Sequence, residues 1–164
     1  MNVPGRFAAT QIPQWLLNVL HLTRPRNDNQ EIIACVELVG VISLLLTYPD
    51  IFAHCRAFLC QDNSCAFAAM VSRRSRSENL NSVANVYNLV AEALGIDSWA
   101  ERCTNKAMLA DKPSSFELHH EHHADFIKMG LVERTAVFPT AEEWSDPITF
   151  YLSLCRTFGS RLTT

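Results

Sequence analysis

A chain of 164 residues with 48% hydrophobic and 19% charged residues is long and apolar enough for one folded domain with a real core, which excludes an intrinsically disordered chain. The formal net charge of −3 excludes a global electrostatic pull toward nucleic acid, so any such contact must come from a local basic patch. Glycine is scarce at 5, and none of the Gly-rich nucleotide-binding motifs is present.

Residues 6–10 read as a short strand. Pro13 suits the first turn of a helix that places Trp15, Leu16, Val19 and Leu20 on one face. After a polar loop, Asn29 caps a helix that runs to about Thr47 and is stopped by Pro49. Its apolar positions run nearly all round, so it is predicted to be largely buried. Residues 56–61 are the best strand candidate, and Asn63 or Ser64 caps a helix over 64–72 that packs Phe67, Ala68 and Met70. A basic break, Arg73-Arg74-Ser75-Arg76-Ser77, separates it from a helix over about 79–94 with Leu80, Val83, Val86, Tyr87, Val90 and Leu94 at helical spacing. Gly95 is its stop.

A second strand is predicted at 97–103, a helical turn at 107–111 stopped by Pro113, a helix within 116–129, an extended run at 135–138 and a helix near 147–157. Trp15 and Trp99 lie on apolar faces, where core packing is favoured over base stacking. The order is that of an α/β fold in which strands 56–61 and 97–103 pair in parallel across a right-handed helical crossover. Ligands bind at the carboxyl ends of such strands, and Asp62 stands at one.

The six cysteines, Cys35, Cys55, Cys60, Cys65, Cys103 and Cys155, form no C-x-x-C pair and mostly lie in apolar runs. They read as small buried hydrophobes in a reducing compartment rather than as a disulfide framework, which places the chain inside the cell, in nucleus or cytoplasm. The N-terminus lacks the charged and apolar regions of a signal peptide, and the apolar stretch 32–46 holds Glu37 and is too short to span a bilayer, so no membrane is expected.

Three carboxylates stand in apolar settings: Glu37 within the long helix, Asp62 at the end of Ala57-Phe58-Leu59-Cys60, and Asp111 closing 106–111. Burying an unpaired charge is expensive. Carboxylates on elements that converge are what two-metal phosphodiester hydrolysis requires.

The sequence around these residues resembles the ribonuclease H-like domain of retroelement reverse transcriptases. Glu37-Leu38-Val39 leading to Tyr48-Pro49-Asp50-Ile51-Phe52 is similar to that family's helix with its catalytic glutamate. Phe58-Leu59-Cys60-Gln61-Asp62-Asn63 looks like its strand ending in Asp-Asn. Ser72-Arg73-Arg74-Ser75-Arg76 stands where such domains carry a Ser-Arg bend. Trp99 to Ala107, followed by Ala110-Asp111-Lys112-Pro113-Ser114, resembles the final strand and its Ala-Asp-x-Pro-Ser turn. The likeness covers roughly 7–116 and, more loosely, continues to Trp144.

The resemblance implies a partial ribonuclease H-like fold, a short mixed sheet flanked by helices, over 1–144, with 145–164 as a C-terminal tail that includes a helix. It implies two-metal hydrolysis of the RNA strand of RNA/DNA hybrids, with two Mg²⁺ ions held by Glu37, Asp62 and Asp111. Asn63, Arg73, Arg74 and Arg76 are the implied nucleic-acid contacts; the plainer reading of the three arginines is a solvated loop. The sequence departs from the family at Cys35 and Met108, and no Asp or Glu precedes Asp28. The family's first two strands, with the first Asp that bridges both ions, are therefore not found, and the expectation is weak Mg²⁺ binding and impaired cleavage. An exposed edge on strand 56–61 is also expected, to be met by a partner chain or a second copy.

Other chemistries carry less. His119-His120-Glu121-His122-His123 has metal-binding residues at helical spacing but not the metalloprotease His-Glu-x-x-His, and reads as a polar helix surface. Cys60 or Cys65 has no base placed beside it for nucleophilic work. The rival of another class is a noncatalytic nucleic-acid-binding or protein-interaction domain that retains the ribonuclease H-like core.

Overall fold

Helix α2, Asn29–Thr47, is the element around which the others assemble. Ala34, Cys35, Leu38, Ile42 and Leu45 are sealed from solvent along it, where α4 (Ser64–Ser72) and α5 (Glu78–Ala93) cover it. The computed structural model describes residues 5–9, 11–20, 29–103 and 119–159. Among them the elements run β1 (Arg6–Ala9), α1 (Gln14–Val19), α2, α3 (Pro49–Phe52), β2 (Arg56–Gln61), α4, α5, β3 (Asp97–Arg102), α6 (His119–Lys128), β4 (Val132–Thr135), α7 (Ala141–Ser145) and α8 (Pro147–Phe158).

α2 ends because Pro49 offers no N–H to continue the ladder, but the chain does not unwind there. Pro49 instead opens the short α3, a position its fixed φ suits. The Thr47 hydroxyl, donating back to the Ser43 carbonyl at 2.7 Å, accepts the N–H of Val137 at 2.9 Å.

β2 and β3 pair in parallel, Arg56 opposite Asp97 through Gln61 opposite Arg102, with α4 and α5 as the crossover. α5 carries the apolar spacing that this requires: Leu80, Val83, Val86, Tyr87 and Val90 are buried on it. Gly95, at φ 63°, reverses the chain after α5; a Cβ there would meet the His54 ring at 2.7 Å. On the far side of α5 lies α8, whose Phe150 and Leu154 join the same core together with Trp144 of α7.

The sheet expectation changes in form. There is no single mixed sheet among the described residues: β1 pairs with β4, in parallel, as a separate two-stranded sheet, Arg6 opposite Val132. This sheet is tied to the end of α2 by Tyr48, whose hydroxyl donates to the carbonyl of Phe7. Asp50 ties it a second time, accepting from Arg6 at 2.7 Å and from Arg134 at 2.9 Å. The late strand also moves, from 135–138 to Val132–Thr135, because Val137 is already committed to Thr47.

Three packing expectations are corrected, the first at Ala68, which is exposed on α4 while Ala66, Ala69 and Met70 are buried. Trp99 is 67% exposed, on the face of β3 turned away from the helices. Among the cysteines only Cys35 is buried; Cys60 and Cys65 are exposed. The turn expected at 107–111 and Asp111 itself lie outside the described residues, as do the side chains of His119 to His123. No helix among the described residues is long and apolar enough to cross a membrane.

Candidate active site

β2 alternates: Ala57, Leu59 and Gln61 turn inward toward the helices, and Arg56, Phe58 and Cys60 turn out. Gln61 is thus a polar side chain at the last inward position, only 4% exposed, and it needs a partner. It finds one in Glu37, donating from Nε2 to the carboxylate at 2.8 Å. The strand then ends, and Asn63 begins α4 by accepting the N–H groups of Cys65 at 2.8 Å and Ala66 at 3.1 Å. Asp62 is held between these two fixed points, at the carboxyl end of β2 and the amino end of α4.

Glu37 comes to the same place from the middle of α2. Its carboxyl is pushed from an ordinary 4.5 up to about 7. Burial is the largest cause; the charge of Asp62 and a hydrogen bond between the two carboxyl groups add to it, and hydrogen bonds from Asn63 offset part. The Glu37 carboxyl therefore still carries its proton part of the time near neutral pH.

A hard cation is the natural substitute for that proton. Glu37 and Asp62 are the residues that could hold one Mg²⁺, which would keep several waters of its own and on binding would release the proton. Such an ion would supply a Lewis acid to an oxygen of a bound substrate. Gln61 and Asn63 fix the orientation of Glu37 and occupy part of its hydrogen-bonding capacity. Among the described residues no three His, Cys, Asp or Glu gather as a metal-binding group.

Of the residues singled out in the sequence, Glu37, Asp62 and Asn63 meet. Arg73, Arg74 and Arg76 do not join them: they are exposed beyond the other end of α4, with Arg73 as its left-handed C-cap at φ 58°. The nine residues of α4 put roughly 13 Å between the two ends at 1.5 Å per residue. Gln61 is the functional residue that sequence reasoning passed over. Its signal was the parity of the strand: 57 and 59 point inward, so 61 must too.

No protein-family model, curated protein or solved structure matches the chain.

Proposed function

We propose that this chain is a ribonuclease H-like domain that engages an RNA/DNA hybrid inside the cell and hydrolyses its RNA strand weakly, through Mg²⁺ at Glu37 and Asp62. The observation that carries the reading is the meeting of Glu37, from the middle of a helix, with Asp62, at the carboxyl end of a strand in a parallel pair. That is where an open α/β sheet binds ligands. In this reading Asp111 supplies a further carboxylate from outside the described residues. Asn63 and the bend at Arg73, Arg74 and Arg76 contact the nucleic-acid backbone, the arginines neutralising phosphates across the length of α4.

The test is Mg²⁺-dependent cleavage of a labelled RNA/DNA hybrid by the purified chain, beside Asp62→Asn and Glu37→Gln. Weak cleavage is expected, and each variant is expected to lower it about 100-fold or more, the usual cost of removing a central electrostatic group. Cleavage that the variants leave intact overturns the assignment of these residues. No cleavage, with thermal stability unmoved by Mg²⁺, overturns the nuclease reading. It would favour a noncatalytic nucleic-acid-binding or interaction domain.

A further inference from the structure

At the end of the β2–β3 pair stands a second group of side chains, two of them thiols, that the carboxylate site does not use. Cys60 lies opposite Glu101, and the N–H of Cys103 donates to the carbonyl of Gln61 at 3.0 Å, which carries the ladder one residue past β3. Side chains alternate along a strand, so Cys60, Glu101 and Cys103 all point to the outward face. Cys60 and Cys103 are then diagonal cross-strand neighbours. Both are free thiols, Cys60 exposed and Cys103 partly so, and the Cys60 thiol is within hydrogen-bonding reach of Cys103. Diagonal neighbours stand about 7–8 Å apart at Cα, so closing a disulfide draws the two strand ends slightly together.

We propose that Cys60 and Cys103 form a thiol–disulfide exchange site, closed by low-molecular-weight disulfides such as oxidised glutathione and reopened by dithiols. In closure, the thiolate of the exposed Cys60 attacks one sulfur of oxidised glutathione, forming a mixed disulfide and releasing one glutathione thiolate. The Cys103 thiolate then attacks Sγ of Cys60, forming the Cys60–Cys103 bond and releasing the second glutathione thiolate. Two protein thiols are oxidised, one disulfide is reduced to two glutathione molecules, and the two protons lost by the cysteines pass to glutathione through solvent. The bond staples the strand ends beside Gln61, the residue that positions Glu37. The exchange chemistry does not depend on whether the carboxylates cleave RNA.

The experiment titrates the reduced, full-length chain with mixtures of oxidised and reduced glutathione. Remaining thiols are then alkylated and the products read by intact mass and peptide mapping. The expected product has lost two hydrogen atoms and yields a linked Cys60–Cys103 peptide pair. Because the bond closes a long loop, melting is expected to rise by roughly 5–10 °C. Cys60→Ser and Cys103→Ser should each abolish the linked pair while leaving the far-ultraviolet spectrum of the reduced protein unchanged. A glutathione adduct that persists on Cys60, a bond from Cys60 to Cys65 instead, or an unchanged mass in fully oxidising buffer overturns the proposal. Should Cys103→Ser fail to fold, the peptide map of the unsubstituted chain and of Cys60→Ser decides alone.

Discussion

Glu37 pays a cost that its neighbours impose, and the cost has a pH signature. Below about 4.5 its carboxyl is protonated in folded and unfolded chains alike; between 4.5 and about 7 the folded chain keeps a proton that the unfolded chain has released. The folded state therefore binds more protons across that window, and stability falls as pH rises through it. Glu37→Gln keeps an oxygen for the Gln61 amide and removes the titration. Its stability is expected to be flat over the same window. At pH 8 it should melt roughly 2–4 °C above the unsubstituted chain, about 1 kcal/mol once partial exposure of the side chain is discounted. Thermal melts of both proteins between pH 4.5 and 8 measure this, and parallel profiles would show that folding does not raise the Glu37 carboxyl. Glu37 and Asp62 were legible from sequence because a carboxylate in an apolar run calls for a partner. Gln61 was not, because an amide at a strand end looks like a turn residue until the inward parity is counted.

At the scale of elements, β2 and α4 share a junction of two residues, Asp62 and Asn63. The cap that starts α4 therefore also sets where Asp62 stands. Asn63→Ala removes the acceptor for the N–H groups of Cys65 and Ala66 and should cost about 1 kcal/mol, whereas Asn63→Ser keeps most of the cap. The alanine variant is expected to melt roughly 2–4 °C lower and to respond less to Mg²⁺; the serine variant should track the parent. Circular-dichroism melts with and without Mg²⁺ separate the two, and an alanine variant as stable as the parent would remove the cap from the account.

The same junction shows why some elements could be read directly. β2 and α4 were delimited by a short apolar run and a side-chain cap, both local signals that the sequence displays. β4 has neither: all four of its residues are exposed, and its partner β1 lies near the other end of the described chain. Trp99 misled for a related reason. An apolar side chain predicts burial only if something covers its face, and β3 turns Trp99 outward opposite Phe58, itself 64% exposed. α7 was missed although its capping box, Thr140 with Glu143, was present in the sequence.

For the molecule as a whole, the parallel β2–β3 pair is a sheet with unfinished edges. The carbonyls of Cys55 and Gln61 accept from Asp97 and Cys103, so the odd-numbered residues of this stretch direct their backbone groups toward β3. In a parallel strand alternate residues bond to opposite sides, so Arg56, Phe58 and Cys60 direct theirs to the other edge, where no strand of the described residues pairs with them. An open edge of this kind is a template for another strand, and the exposed Phe58 beside it adds apolar surface to any such pairing. Amide hydrogen exchange of the dilute protein should show a period of two along β2. Arg56, Phe58 and Cys60 should exchange roughly 100-fold or more faster than Ala57, Leu59 and Gln61, because only the latter must break a ladder bond to open. Raising protein concentration should protect the fast amides if a second copy completes the sheet, with a parallel rise in mass by light scattering. Fast amides at every concentration would leave the edge to a different chain, and uniform protection in a dilute monomer would mean that the edge is already covered.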